Sequence, residues 1–184
     1  MKNTKLYLAY GSNLNLAQMA RRCPNAKMAG KTLLEGWQLT FRTHATIEPK
    51  KGAKVPVGVW EITPECERDL DRYEGYPNYY TKETIDIVLN KQATQAIVYL
   101  MNGGRPAMPC QNYAESIWEG YKDFDLDYRY LEAAMKDTSA RVRQLPPKGK
   151  HYCKYCGNLA DTEHEDILCD ECKTDFGHSL FSEL

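Results

Sequence analysis

The run Leu6-Tyr7-Leu8-Ala9-Tyr10-Gly11-Ser12-Asn13-Leu14 constrains this chain more than any other. Residues 5–10 read as a short apolar strand, and Gly11 as a sharp turn into a helix from Asn15 to about Arg22. Such a corner leaves backbone N–H groups pointing one way, at the positive end of a helix dipole. That arrangement suits a carboxylate or a phosphate. Gly11 lets a ligand approach the backbone closely, and Ser12 or Asn13 is placed to cap the helix. The same corner also serves as an ordinary strand–turn–helix join with no ligand.

A second segment lies sixty residues downstream. Thr63-Pro64-Glu65-Cys66-Glu67 supplies a cap, a proline at the first helical position and acids in the first turn. These start a helix, and Glu74-Gly75-Tyr76-Pro77 stops it. Glu74 therefore falls at a helix C-terminus, where negative charge is disfavoured, and partial burial raises its pKa further. A carboxyl of that kind suits general acid–base work near neutral pH. A solvated terminal glutamate is the plainer alternative.

Taken with Leu70-Asp71-Arg72-Tyr73-Glu74-Gly75-Tyr76-Pro77, the Tyr10-to-Leu14 turn resembles the gamma-glutamylcyclotransferase-like family. Tyr79-Tyr80, Pro109-Cys110-Gln111-Asn112-Tyr113, Gly120 and Leu126-Asp127-Tyr128-Arg129-Tyr130-Leu131 follow in the family's order, so the resemblance spans roughly 5–137. It implies an α+β domain, a small mixed β-barrel flanked by helices with the site at one mouth. It also implies release of 5-oxoproline from a γ-glutamyl amine or peptide, by attack of the substrate's own α-amine on its γ-carbonyl. Glu74 would be the acid–base catalyst. Gly11, Ser12, Asn13 and Leu14 would grip the substrate carboxylate, while Tyr10 and Tyr80 shape the pocket. No cofactor is implied for that reaction.

Periodicity adds strands at about 34–46, 55–62, 79–89 and 93–101, with Asn90-Lys91-Gln92 as a hairpin turn. Helices are expected at 14–22, 64–73, 111–122 and 126–137. Residues 47–56 and 102–109 then read as loops that meet the leaving group. At 184 residues the chain is long enough to bury a proper core. No apolar run approaches the length of a membrane span, and none suits a signal peptide, which points to the cytoplasm.

A boundary falls at Leu145-Pro146-Pro147-Lys148-Gly149-Lys150, giving a catalytic domain over 1–145, a linker over 146–150 and a module over 151–184. In that module Cys153-x-x-Cys156 and Cys169-x-x-Cys172 supply four thiolates at zinc-ribbon spacing. Four protein ligands leave no open position, so the expected zinc is structural and supplies the module's folding free energy. Iron in a rubredoxin-like site uses the same ligands, and a pair of redox motifs is a further alternative. From His151 onward two lysines face eight acids, a net of −6, while the remainder carries +5. Such an acidic surface argues against nucleic acid and for docking on the basic catalytic domain or on another protein.

Cys23, Cys66 and Cys110 read as buried small hydrophobes. A cysteine nucleophile would need a histidine, and His44 is the one outside the tail. Two rivals to the cyclotransferase reading stand at this stage. One is removal of a γ-glutamyl cap during a biosynthesis, with the same Glu74. The other is a non-catalytic adaptor that recruits a partner through the ribbon.

Overall fold

The computed structural model describes residues 4–145, 150–152 and 159–161. Two units emerge, Met1–Val142 and Arg143–Leu184. The first contains five strands, β1 Lys5–Ala9, β2 Lys27–Arg42, β3 His44–Ile62, β4 Tyr80–Leu89 and β5 Gln92–Met101. Helices α1 Leu16–Arg22, α2 Pro64–Tyr73, α3 Gln111–Asp123 and α4 Tyr128–Arg143 pack with them.

The sheet runs β2-β3-β1-β5-β4. Its centre is made by the most apolar strands. Tyr7, Leu8 and Ala9 of β1 and Ala96 to Tyr99 of β5 are buried on both faces, as expected where a sheet is covered on both sides. These two strands run parallel, with Tyr7 opposite Ile97, and every other pairing is antiparallel. The outer strand β4 carries Lys82, Glu83 and Asp86, charges that suit an unpaired edge. Asn90 and Lys91 both take positive φ, 50° and 65°, the geometry of a tight two-residue hairpin.

The sheet does not close into the expected barrel. Its two outer strands touch without pairing: the Thr32 hydroxyl donates to the Val88 carbonyl at 2.7 Å, and the Leu89 side chain lies beside Gly30. No ladder joins them, so the sheet remains open between β2 and β4.

The first hairpin is longer than expected. β2 begins at residue 27 rather than 34, and β3 at 44 rather than 55. Residues 47–56 are therefore strand, not a substrate loop. The polar stretch Pro49-Lys50-Lys51-Gly52 has no alternation because it projects past the core, with no buried face to pattern it. Its register against β2 is irregular, with Trp37 opposite Pro49 and Glu35 opposite Lys54. Residues 102–109 do form a loop. It is tied down at Ala107, whose carbonyl accepts from the Thr43 amide and whose amide donates to the Phe41 carbonyl, each at 3.1 Å.

The second unit shows a two-stranded antiparallel pair, β6 Lys150–Tyr152 and β7 Leu159–Asp161. The proposed ligands Cys153, Cys156, Cys169 and Cys172 lie outside the described residues. Among the described residues, no helix is long and apolar enough to cross a membrane.

Candidate active site

The corner after β1 is built differently from its sequence reading. Ser12–Leu14 forms one 3-10 turn, in which the Leu14 and Asn15 N–H groups donate to the Gly11 and Ser12 carbonyls at 3.0 and 3.1 Å. Asn15, not Ser12 or Asn13, caps α1, its side chain accepting from the Gln18 amide at 2.9 Å. Three polar candidates compete for the cap, and the one adjoining the first helical residue takes it. The helix dipole is consequently not aimed from Gly11. Any anion cradle narrows to the N–H groups of Gly11, Ser12 and Asn13, the last two of these residues being buried. Leu14 is wholly buried and packs in the core, and its N–H is taken by the Gly11 carbonyl.

Close approach is enforced at Gly11. A Cβ there would lie 3.1 Å from the Tyr113 hydroxyl and 3.2 Å from the Ala45 methyl, tighter than ordinary packing. The Tyr113 oxygen accepts from the Ala45 amide at 3.1 Å. This brings α3, β3 and the turn together within one wall.

Helix α2 delivers Glu74 as expected. The Thr63 hydroxyl accepts from the Cys66 amide at 3.3 Å, Pro64 opens the helix, and Glu74 occupies its C-terminal cap. Gly75 at φ 63° then turns the chain away. The Glu74 carboxylate accepts from the Asn13 side-chain amide at 2.8 Å. Burial pushes its pKa up to about 7, against the opposing pull of the Asn13 hydrogen bond and the nearby Arg22 charge.

Asn13 is the hub of this arrangement. Its side-chain amide nitrogen donates both to Glu74 and to the Tyr7 hydroxyl, the latter at 2.7 Å. Its side-chain oxygen accepts from Arg22 and its main-chain oxygen from the Trp60 indole at 3.0 Å. Arg22 also donates to the Ser12 hydroxyl at 3.1 Å and lies 3.8 Å from the centre of the Tyr73 ring. Because Arg22 has only donors, it fixes which end of the Asn13 amide meets Glu74. The sequence reading gave Asn13 a backbone contact to the substrate or a place as helix cap. Its side chain proves to hold the carboxyl.

These groups open onto one cavity of about 460 Å³. Tyr10, Gly11, Ser12, Asn13, Glu74 and Tyr80 all line it, as do Tyr7, Tyr73, Tyr99 and Tyr113, which the sequence reading did not single out. Tyr10 donates to the Tyr99 carbonyl and Tyr80 to the Ala45 carbonyl at 3.0 Å, so both hydroxyls brace the wall. Among the described residues, no cysteine lines it. The Cys23 thiol is pushed up to about 12, chiefly by burial, and faces the Cys66 carbonyl at 3.4 Å, which removes it as a nucleophile. Cys23 and Cys66 are buried as expected, whereas Cys110 is exposed, at the start of α3 where no core covers it. His44 lines the cavity edge-on to Tyr113, with ring centres 4.9 Å apart.

Residues 7–120 match the family model described as "Gamma-glutamyl cyclotransferase, AIG2-like". The chain belongs to that family. A protein named gamma-glutamylcyclotransferase from Mus musculus is 29% identical over 181 residues, covering 90% of this chain and 88% of its own. Its namesake from Homo sapiens is 27% identical over 179 residues, covering 89% and 87%. A solved structure titled "Gamma-glutamyl cyclotransferase" superposes with a TM-score of 0.64 at 21% identity, over 95% of this chain and 99% of that one. At that identity the superposition speaks for a shared fold. The family match takes in β1, the Gly11 turn and Glu74, so the segments that build the cavity are those it covers.

Proposed function

We propose that this chain is a gamma-glutamylcyclotransferase that acts on a small γ-glutamyl compound, with Glu74 as its acid–base catalyst. The observation that carries this reading is a carboxyl raised to about 7, oriented by Asn13, at the wall of a cavity of substrate size. Family membership and the names of the mouse and human relatives point the same way.

The substrate carries its own nucleophile. Holding the γ-glutamyl chain folded brings the α-amine against the γ-carbonyl and removes an entropic barrier to ring closure. Glu74, ionised, takes a proton from the α-ammonium. The amine nitrogen bonds to the γ-carbon, and the bond from that carbon to the leaving nitrogen breaks. Glu74 gives this proton to the departing nitrogen, and the carboxylate so restored takes the second proton that the ring nitrogen still carries and passes it to the released amine, so 5-oxoproline and an ammonium leave while the enzyme is unchanged. The Gly11, Ser12 and Asn13 N–H groups hold the substrate α-carboxylate. Tyr10 and Tyr80 shape the wall around it.

An N-acetylated γ-glutamyl substrate tests this directly, since its nitrogen is no longer a usable nucleophile. It should release no leaving amine, whereas the unblocked compound is turned over. Release from both at similar rates would show that water or an enzyme group attacks instead.

A further inference from the structure

The cavity tyrosines differ in what they have already done with their single hydroxyl proton. Tyr10 gives its proton to the Tyr99 carbonyl, Tyr80 to the Ala45 carbonyl at 3.0 Å, and Tyr99 to the Asp71 carboxylate at 2.6 Å. A phenol has one hydrogen to donate, so these three are spent. The Tyr73 hydroxyl lies 3.4 Å from the Ser12 hydroxyl, with either able to donate. Tyr7 and Tyr113 are different. The Tyr7 oxygen accepts from the Asn13 side chain and the Tyr113 oxygen from the Ala45 amide. Neither hydroxyl donates to any described residue.

Position separates these two. Tyr113 stands over Gly11, at the carboxylate end of the site. Tyr7 stands at the reacting end. Its oxygen and the Glu74 carboxylate oxygen touch the same Asn13 nitrogen, at 2.7 and 2.8 Å, so one small group reaches both. The nitrogen sits between them as a spacer, and Tyr7 is not bonded to the base itself. Tyr7 is also buried, and burial first, then the neighbouring Glu74 charge, holds its phenol well above the usual range. It is therefore a neutral donor throughout the working pH range.

We infer that the Tyr7 hydroxyl donates to the substrate γ-carbonyl oxygen and stabilises the oxyanion that forms there. This rests on the cyclotransferase reading above. As the α-amine bonds to the γ-carbon, the carbonyl π pair moves to oxygen, and the charge that develops meets the unspent proton of Tyr7. When the pair returns, the bond to the leaving nitrogen breaks. Tyr7 keeps its proton throughout, and Glu74 alone moves the protons from the attacking nitrogen to the leaving one.

Tyr7→Phe keeps the ring in the core and removes one oxygen. Its kcat should fall by about 10²-fold, the usual consequence of losing one oxyanion donor, with KM little altered. The pH dependence should not move, because Glu74 keeps its Asn13 contact. Tyr99→Phe, whose proton is already committed to Asp71, is the comparison and should lose far less. A Tyr7→Phe kcat within a few-fold of wild type, or a displaced pH limb, would overturn the assignment. A second measurement needs no variant. A γ-glutamyl analogue lacking the α-amine cannot cyclise, and its carbon-labelled γ-carbonyl stretch should shift to lower frequency when wild-type protein binds it. An unshifted band in the bound analogue would overturn the assignment equally. Wild-type 5-oxoproline formation is assayed in parallel. Its absence would defeat the cyclotransferase reading, whereas its presence with an active Tyr7→Phe variant would defeat the Tyr7 role alone.

Discussion

Glu74→Gln should lower kcat by about 10²–10⁴ and leave the fold intact. Glutamine matches glutamate in shape, and its side-chain oxygen still accepts from Asn13, so the site keeps its geometry. What it lacks is the ability to take a proton. The stability change should run the other way. Because burial raises the Glu74 pKa from 4.5 to about 7, the wild-type protein is stabilised by the neutral form at low pH. That contribution is lost as the pH rises through about 7, where the buried carboxylate must ionise. The Gln variant pays no such penalty, so above that pH it should melt no lower than wild type. Activity follows the ionised base. For wild type, kcat/KM should rise with pH through a limb near 7 and flatten above it. Thermal melts and pH profiles of both proteins check these statements. A limb at the ordinary carboxylate value, or a Gln variant with near-full activity, would remove Glu74 from its role.

Gly120→Ala should be nearly as damaging, by a different route. A Cβ at 120 would lie 2.5 Å from the Leu14 Cβ and 2.7 Å from the Asn15 backbone nitrogen. Backbone cannot swing aside as a side-chain tip can, so α3 or the 12–15 turn must shift. Overpacking of this kind costs about 1–3 kcal/mol. The shift falls on the turn that carries Asn13, and through it on the Glu74 carboxyl, so kcat should fall with stability. Gly58 offers the contrast. Its nearest neighbours are the Phe124 ring at 2.6 Å and a Leu14 methyl at 2.8 Å, both side-chain ends. Gly58→Ala should therefore lose stability with a smaller effect on turnover. Denaturant melts and steady-state rates for the pair measure this, and a Gly120→Ala protein as stable and active as wild type would refute the packing argument.

Much of this architecture is legible before any coordinates. Helix α2 reads directly from Thr63, Pro64 and Gly75, because caps and breakers act locally. β5 reads from the unbroken run Ala96-Ile97-Val98-Tyr99, because both its faces are buried. The starts of β2 and β3 do not read, since exposed extended chain at 49–54 carries no periodic signal. The barrel expectation came from resemblance, and the edges meet through the Thr32–Val88 hydrogen bond and the Leu89 side chain beside Gly30, with no ladder between them.

The site divides in the same way. Glu74 is placed by its own helix end. The Asn13 side chain, by contrast, is oriented by Arg22 within α1 and reaches a carboxyl 61 residues away. Tyr7 and Tyr10 look equivalent on one strand. The Tyr10 proton is spent on a carbonyl 89 residues distant, and that of Tyr7 is not. Local sequence holds no trace of that difference, because it is decided by which strands become neighbours.

The central claim is that the substrate's own amine, not water, attacks the γ-carbonyl. Turnover of a γ-glutamyl dipeptide in oxygen-labelled water tests it most directly. Cyclisation predicts 5-oxoproline and the leaving amino acid in equal amounts, with no label in either product. Labelled glutamate in place of 5-oxoproline would mean that water is the nucleophile, and would contradict the account.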